Sequence, residues 1–110
     1  MYTIEYLPIA RRDMVDIAKY IGVKLANPDA AERLAEKMAE SAEDLANMPY
    51  KCPMYIPVKP LKHEYRKLIV HNYIMFYWID EDKKLVTIAR VVYSLSLIHI
   101  SEPTRLQLIS

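Results

Sequence analysis

The chain has 110 residues, of which 53% are hydrophobic and 26% are charged, and its formal net charge is +1. This is an ordinary globular composition at a length that provides one small domain with a modest core, so two full domains are excluded. The near-zero net charge by itself predicts no class of partner.

The cysteine content and the N-terminal residues exclude further classes of protein. Cys52 is the only cysteine, which excludes an intrachain disulfide and a paired-cysteine zinc motif. The opening MYTIEYLPIARRD lacks the basic and apolar regions of a signal peptide, and no run approaches the ~18 apolar residues of a membrane-spanning helix. We therefore expect a cytoplasmic protein with no membrane partner, no metal and no cofactor.

A short strand and a helix open the chain. Tyr2, Ile4 and Tyr6 alternate with polar residues, which is typical of an amphipathic strand. Pro8 then lies where helices tolerate proline best, in the first turn. Apolar residues recur after it at steps of three and four, which predicts one buried helical stripe: Ala10, Met14, Ile17, Ile21 and Leu25.

A second helix is predicted to start at Asn27-Pro28, since Asn is a favoured cap and proline is tolerated directly after it. Its predicted stripe consists of Leu34, Met38, Ser41, Leu45 and Met48. Several alanines flank this stripe, and small residues let two helices approach closely. We expect an antiparallel helical hairpin packed on a sheet.

Charge divides the middle of the chain into two parts. Residues 27–48 carry six acids against two basic residues, whereas residues 51–71 carry five Lys or Arg against one acid. The basic part favours an anionic partner, and the alternative is an ordinary solvated charged face.

Four prolines, at positions 49, 53, 57 and 60, follow the second helix. Proline fixes φ and removes a hydrogen-bond donor, so no helix or central strand runs through this segment. It is predicted to be an extended connector along the domain surface or beside a sheet edge.

Residues 65–93 are dominated by β-branched and aromatic residues. Two turn signals divide them into strands predicted at Tyr65–Val70, Tyr73–Ile79 and Leu85–Val92, which form a three-stranded meander. The first break, His71-Asn72, is short enough for a tight hairpin. Such a turn needs positive φ, which Asn72 is predicted to supply.

The last sixteen residues look foreign to the rest of the chain. Leu95 to Arg105, LSLIHISEPTR, resembles the translation of a transposase-tagging sequencing adapter over eleven consecutive residues. The alternative is a genuine apolar strand or helix. We predict a domain at residues 1–94, followed by a non-native tail at residues 95–110 whose addition removed the native residues after Ser94.

The predicted order is strand, two helices, connector and antiparallel meander, an α+β fold. In this order the segments IEYLPIARRDMVDIAKYI, NPDAAERLAEKMAESAEDLANMPY, YRKLIVHNYIMFYWIDE and TIARVVYS resemble the RelE/ParE superfamily of type II toxin-antitoxin toxins. The resemblance implies a small growth-inhibiting toxin, of the kind associated with plasmid stabilisation, that a cognate antitoxin holds inactive.

Two toxic mechanisms occur on this fold: RelE-like members cleave mRNA on the ribosome, and ParE-like members poison DNA gyrase. RNA cleavage needs a base, an acid and cations around the scissile phosphate. If the chain is a nuclease, the catalytic candidates are Arg66, Arg90 and Tyr93. Candidates for contacts with RNA or another target are Lys59, Lys62, His63, Lys67 and His71, although a turn histidine such as His71 is most often simply solvated.

The middle strand departs from the family pattern. Members commonly have Arg directly after the aromatic residue that opens this strand, whereas here Tyr73 is followed by Ile74. Ile74, Phe76 and Trp78 share one strand face, which we call the outer row. The row is either core or a docking surface for the antitoxin.

The neighbouring strand residues also constrain Arg90. Arg90 lies among apolar residues, so it must be paired, at an edge or facing a partner.

Because Ile74 supplies no cation, we favour ParE-like inhibition of gyrase. The alternatives are a RelE-like ribosome-dependent mRNA endonuclease and an inactive binding module on the same fold.

Overall fold

The computed structural model describes residues 1–55 and 63–94. The elements are β1 (Thr3–Tyr6), α1 (Pro8–Lys19), a π-helix (Tyr20–Lys24), α2 (Pro28–Asp44), β2 (Arg66–Val70), β3 (Tyr73–Asp80) and β4 (Leu85–Tyr93). Lys59, Lys62 and the predicted tail lie outside the described residues. No helix within the described ranges is long and apolar enough to cross a membrane.

The four strands form one mixed sheet in the order β1-β4-β3-β2. β2, β3 and β4 pair antiparallel, as predicted. The first and last residues of each predicted strand of the meander lie within one residue of the observed ones. β1 pairs parallel with β4, from Thr3 opposite Leu85 to Tyr6 opposite Ile88. Strands that pair parallel need a crossover connection between them, and the two helices form the first part of the connection from β1 to β4. The predicted α+β fold is confirmed.

α1 begins at Pro8 and buries Ala10, but its predicted stripe is interrupted. The last turn is a π-helix, in which the Leu25 N–H donates to the Tyr20 carbonyl oxygen at 3.0 Å. The wider i→i+5 turn rotates the residues that follow it. Leu25, predicted to be buried, is therefore 55% exposed.

α2 starts as predicted, since the Asn27 side-chain oxygen accepts a hydrogen bond from the Ala30 N–H at 3.2 Å. Leu34, Met38 and Leu45 are buried. Met48 is 62% exposed, because the helix ends at Asp44 and the helical spacing no longer applies. The prediction that Met48 continues the stripe was wrong.

The two helical segments approach closely where their residues are small. A Cβ built on Gly22 would lie 3.6 Å from the Ala31 Cβ, at ordinary van der Waals distance. This agrees with the close helical hairpin predicted from the alanines.

Buried residues lie on both faces of the sheet. The larger cluster joins the helices to one face through Ala10, Leu34, Met38, Ala42, Leu45, Leu68, Val70, Met75, Tyr77, Val86, Ile88 and Val91. The smaller cluster, on the opposite face, consists of Tyr65, Ile74, Phe76 and Ala89. The helices thus cover one side of the sheet, and on the other side Tyr55 packs against the smaller cluster.

The β2–β3 hairpin has the predicted length, but its positive φ is at a different residue. Val70 pairs with Tyr73, and His71 has φ of 54°. Asn72 does not have positive φ, so that prediction was wrong. Histidine is among the residues enriched in the left-handed region, which makes the exchange physically reasonable.

The described part of the connector, which ends at Tyr55, lies beside a sheet edge, as predicted. The Lys67 N–H donates to the Pro53 carbonyl oxygen at 3.0 Å, and the Tyr55 N–H donates to the Tyr65 carbonyl oxygen at 2.8 Å. These bonds attach the described part of the connector to the start of β2.

Candidate functional site

A groove of about 930 Å³ lies between the helical segments and one end of the sheet. We call it the helix groove. It is lined by Asp13, Asp16, Ile17, Tyr20, Ile21, Leu25, Asn27, Ala30, Arg33, Leu34, His71, Asn72, Tyr73, Val91 and Tyr93. Residues from α1, the π-helix, α2, the β2–β3 turn and β4 therefore meet at one place.

The groove combines buried apolar residues with exposed ones. Leu34 and Val91 are buried, whereas Tyr20 is 53% exposed and Leu25 is 55% exposed. The Tyr73 and Tyr93 rings lie 5.4 Å apart between centroids. Burial raises the pKa of the Tyr73 phenol above its ordinary value. The groove therefore offers largely apolar contact area.

Asp13 and Arg90 form an ion pair beside this groove. The Arg90 Nε donates to Asp13 Oδ2 at 2.8 Å, and Arg90 Nη2 donates to Oδ1 at 3.1 Å. Both side chains are mostly buried, with 16% and 14% exposure for Arg90 and Asp13. The same Asp13 Oδ2 accepts the Val91 backbone N–H at 3.0 Å. A bidentate pair of this kind fixes the orientation of the guanidinium.

A β-bulge accompanies this arrangement. Phe76 pairs with Arg90, but the next residue, Tyr77, pairs with Ile88, so Ala89 is an extra residue in β4. Bulges redirect side chains relative to a regular strand. Arg90 was predicted to be paired, at an edge or facing a partner, and it is paired with Asp13.

Arg66 has a different set of contacts. Its Nη1 donates to the Cys52 carbonyl oxygen at 2.7 Å, and its guanidinium carbon lies 5.0 Å from the Tyr50 ring centroid. β3 separates β2 from β4, so Arg66 and Arg90 start from non-adjacent strands and bind different segments. The two arginines predicted to act together are not brought to one site.

The other candidates are divided between surfaces. His71 and Tyr93 both line the helix groove. Lys67 pairs with Phe76 on β3, away from that groove. His63 stacks on Trp78 with ring centroids 4.0 Å apart and an angle of 7° between the planes.

The outer row is largely covered by the chain itself. Phe76 is fully buried, Ile74 is 9% exposed, and the Tyr55 ring meets Phe76 edge-on at 5.0 Å. Trp78 is half-buried between His63 and Tyr65. The core interpretation therefore fits Ile74 and Phe76, and an antitoxin contact through this row stays a prediction.

Glu81 organises a second polar cluster that the sequence did not indicate. Its carboxylate accepts hydrogen bonds from Lys84 Nζ at 2.5 Å, from the Tyr2 hydroxyl at 2.6 Å and from the Tyr50 hydroxyl. The bonds from Lys84, Tyr2 and Tyr50 lower the pKa of Glu81 to about 2. The bond to Glu81 raises the pKa of Tyr50 to about 12.

Asp13 is a groove residue that the sequence analysis did not identify. It lies three residues after Ala10 and four before Ile17, on the helical face predicted to be buried. An acid at such a position requires a partner, and this was a usable signal. No cluster of three or more His, Cys, Asp or Glu residues suited to a metal occurs among residues 1–55 and 63–94.

Comparisons with solved structures show the same fold. The chromosomal ParDE TA system from P. aeruginosa is 16% identical, with a TM-score of 0.66 over 84% of this chain and 96% of that chain. The toxin-antitoxin complex RelBE2 from Mycobacterium tuberculosis is 22% identical, with a TM-score of 0.58 over the same shares, 84% and 96%. A metal-bound toxin from Helicobacter pylori is 18% identical, with a TM-score of 0.60 over 88% of this chain and 99% of that chain.

Sequence comparison identifies the family. A search of curated proteins gives no match. The family described as ParE toxin of type II toxin-antitoxin system, parDE, matches residues 4–95, which is well over half of the chain. The protein therefore belongs to the ParE toxin family of type II toxin-antitoxin systems.

Proposed function

We propose that this ParE-family toxin is neutralised by a cognate antitoxin protein and inhibits growth by acting on DNA gyrase in the cytoplasm. Membership of the ParE family supports the choice of target. The similar RelBE2 toxin was solved as a toxin-antitoxin complex, which supports an antitoxin as partner.

The Asp13–Arg90 ion pair is the observation that favours gyrase inhibition over RNA cleavage. A nuclease needs cations directed at the scissile phosphate, where negative charge develops in the transition state. Arg90 instead donates two hydrogen bonds to a carboxylate. A phosphate approaching this guanidinium would meet the negative charge of Asp13, so the pair disfavours phosphate binding.

Two further residues support the same interpretation. Arg66, the other candidate cation, is bonded to the Cys52 carbonyl oxygen and lies over the Tyr50 ring. Ile74, where the family resemblance implies Arg, is buried in the smaller core cluster. Ile74 supplies no cation, and the Arg66 guanidinium is already engaged by a carbonyl oxygen and an aromatic ring.

RelE-like mRNA cleavage is the second candidate, and one observation favours it. His71, Tyr93 and Arg33 all line the helix groove. A histidine, a phenol and a guanidinium are groups that could act as base, acid and phosphate ligand. The third candidate, an inactive binding module, is favoured by the Ile74 departure alone.

The gyrase proposal is tested with the purified chain, DNA gyrase and relaxed plasmid DNA. We expect supercoiling to fall with increasing toxin and to recover when the antitoxin is added. A type I topoisomerase assayed in parallel should be unaffected. Unchanged gyrase activity at saturating toxin would contradict the proposal.

RNA ends sequenced after expression of the chain distinguish the two mechanisms. We expect no cuts positioned at ribosome-bound codons. Cuts of that kind that vanish with Arg66→Ala would establish the nuclease instead. A chain with neither activity that still binds its antitoxin would be the inactive module.

A further inference from the structure

We infer that Glu81, Tyr2 and Tyr50 form a binding site for a lysine ammonium group of the target protein, and that Lys84 occupies this site in the free chain. We call these three residues the ammonium site. That the target is DNA gyrase rests on the proposed function, whereas the site itself rests on the contacts of Glu81.

Two phenols hold the carboxylate of Glu81 in position. The Tyr2 hydroxyl donates to Oε1 at 2.6 Å and to Oε2 at 2.9 Å, and the Tyr50 hydroxyl donates to Oε2. The three residues come from separate parts of the chain, since Tyr2 precedes β1, Tyr50 follows α2 and Glu81 follows β3. A carboxylate positioned in this way needs little rearrangement to accept a cation, so the site is preorganised.

Lys84 shows which ligand the site accepts. Its Nζ donates to Glu81 Oε1 at 2.5 Å and lies 5.2 Å from the centroid of the Tyr2 ring. A carboxylate and an aromatic face together recognise an ammonium ion, because one supplies a charge-assisted hydrogen bond and the other a cation–π contact. Lys84 therefore stands in for a lysine of another protein.

The acceptor positions on the carboxylate favour lysine over arginine as the ligand. An ionised carboxylate offers about four lone-pair positions. Among the described residues, Tyr2 contacts both oxygens, Tyr50 contacts Oε2 and Lys84 contacts Oε1. Departure of Lys84 thus frees one position on one oxygen. This suits an ammonium, which acts as a point charge, whereas a guanidinium binds best through parallel bonds to both oxygens.

Lys84 can leave the site at little cost, unlike the other cation nearby. Its side chain is 58% exposed and that of Glu81 is 50% exposed. Exposed ion pairs of this kind contribute little to stability. Arg66, whose guanidinium carbon lies 5.0 Å from the Tyr50 ring centroid, is instead bonded to the Cys52 carbonyl oxygen. Lys84 is therefore the exchangeable cation and Arg66 the fixed one.

The ammonium site is open to a partner and has apolar residues next to it in the sequence. Tyr50 is exposed, and so are Met1, which precedes Tyr2, and Met48, which lies two residues before Tyr50. Tyrosine and methionine are enriched in protein interfaces. Side chains of this kind would pack against the methylene chain of an incoming lysine.

The ammonium site is separate from the helix groove. β3 begins at Tyr73, which lines the groove, and ends at Asp80, directly before Glu81. The two surfaces therefore lie at opposite ends of this strand. A protein bound at the ammonium site leaves the groove free, and we assign the site to the target.

Two variants of the full chain with opposite expected effects test this site. Lys84→Ala should tighten binding to DNA gyrase by about threefold, because an internal ammonium lowers the apparent affinity for an external one. Glu81→Gln should weaken binding by at least about threefold, because it removes the charge that the lysine contacts. Lys83→Ala is the matched control, since Lys83 is exposed in the same turn, and its Kd should change by less than about 1.5-fold. Titration calorimetry measures Kd, and far-UV circular dichroism checks folding.

A purely structural cluster would give a different result. Lys84→Ala and Glu81→Gln would then both weaken binding or both leave it unchanged, and either result would overturn the inference. A loss of folding cannot produce tighter binding, so the gain expected for Lys84→Ala is a decisive measurement even if Glu81→Gln is less stable than the wild type.

Ethylammonium chloride tests the site without gyrase. In Lys84→Ala it should shift the NMR signals of the Tyr2 and Tyr50 rings in a saturable way, with a Kd on the order of 0.1 M, the weak affinity of an exposed ion pair. The wild-type chain should bind this probe at least about threefold more weakly. Potassium chloride at the same ionic strength controls for screening. Equal shifts in Lys84→Ala and in Lys84→Ala combined with Glu81→Gln would overturn the site.

The outcomes separate this inference from the proposed function. If the wild-type chain neither binds nor inhibits gyrase, the gyrase proposal fails, and the ethylammonium titration alone supports or overturns the site. If gyrase binds equally well to all variants, the assignment of the site to gyrase is overturned. If antitoxin binding instead shows the gain for Lys84→Ala and the loss for Glu81→Gln, the lysine belongs to the antitoxin and the assignment to the target is wrong.

Discussion

Glu81 connects three separate segments of the chain through one carboxylate. Tyr2 precedes β1, Tyr50 lies in the connector, and Lys84 belongs to the turn between β3 and β4. Each donor stabilises the ionised form of the acid, and this is why the pKa of Glu81 falls from 4.5 to about 2.

A lowered pKa makes this cluster a contributor to stability that depends on pH. The contribution is fully present above pH 4.5, the ordinary pKa of Glu, and is lost as the pH falls toward about 2. We therefore expect Glu81→Gln to lower the free energy of unfolding near neutral pH. The difference from wild type should shrink below pH 4.5. Urea unfolding at a series of pH values measures it.

Asp82→Asn is the control for this prediction, because Asp82 is an exposed acid in the same turn. Its effect on the free energy of unfolding should be small at every pH in the series. A Glu81→Gln effect that stays constant down to pH 2 would contradict the proposed linkage.

At the residue scale, the sequence indicated that Arg90 needs a pairing group, because it lies among apolar residues. It did not indicate which residue provides that group. Asp13 is 77 residues away in the chain, and no local pattern relates the two positions. Periodicity identified the buried helical face on which Asp13 lies, but the match between the two charges depends on tertiary structure.

At the scale of elements, two local irregularities determine which side chains reach the groove. The π-helix contains a wider turn, and β4 contains the extra residue Ala89. Patterns of constant period cannot anticipate either feature. The strand positions were predicted well because the alternation of residues is local, whereas the wider turn moved Leu25 out of its predicted buried stripe.

The Asp13–Arg90 pair also holds α1 against β4. Asp13→Ala should lower the free energy of unfolding by about 3 kcal/mol, because it leaves a mostly buried guanidinium without its carboxylate. The change also removes the acceptor of the Val91 N–H. Chemical denaturation with a two-state fit measures the loss.

Asp44→Ala provides a matched control on the surface. Asp44 lies 3.9 Å from Lys51, and its side chain is 71% exposed. An exposed pair contributes little, so this variant should change the free energy of unfolding by less than about 0.5 kcal/mol. Adding Arg90→Met to Asp13→Ala should recover part of the loss. Similar losses for Asp13→Ala and Asp44→Ala would show that the inner pair is not a main support of the α1–β4 contact.

At the scale of the whole molecule, the fold was more predictable than the site. Each strand or helix is recognisable from a local pattern of residues, and the order of elements then matches a known family. The helix groove, in contrast, is assembled from residues of both helices, the π-helix, the β2–β3 turn, β3 and β4, between Asp13 and Tyr93. Its existence depends on how those segments pack, so no local sequence pattern indicates it.

The predicted boundary after Ser94 leads to the last prediction. Deleting residues 95–110 should shift the thermal midpoint by less than about 3 °C, because an adapter-derived segment would not have been selected to pack on this core. The Ser94 N–H already closes the end of the sheet by donating to the Asn72 carbonyl oxygen at 2.8 Å. Differential scanning calorimetry of the two chains measures the shift.

A longer deletion that starts at Val91 is the control for the tail. Val91 is 2% exposed, pairs with Met75 and belongs to the larger core cluster. Its loss would open that cluster and remove the N–H that Asp13 accepts, so this chain should unfold at a much lower temperature or fail to fold. If the deletion of residues 95–110 destabilised the protein to a similar extent, the tail would be a structural element of this domain, and its likeness to an adapter would be coincidental.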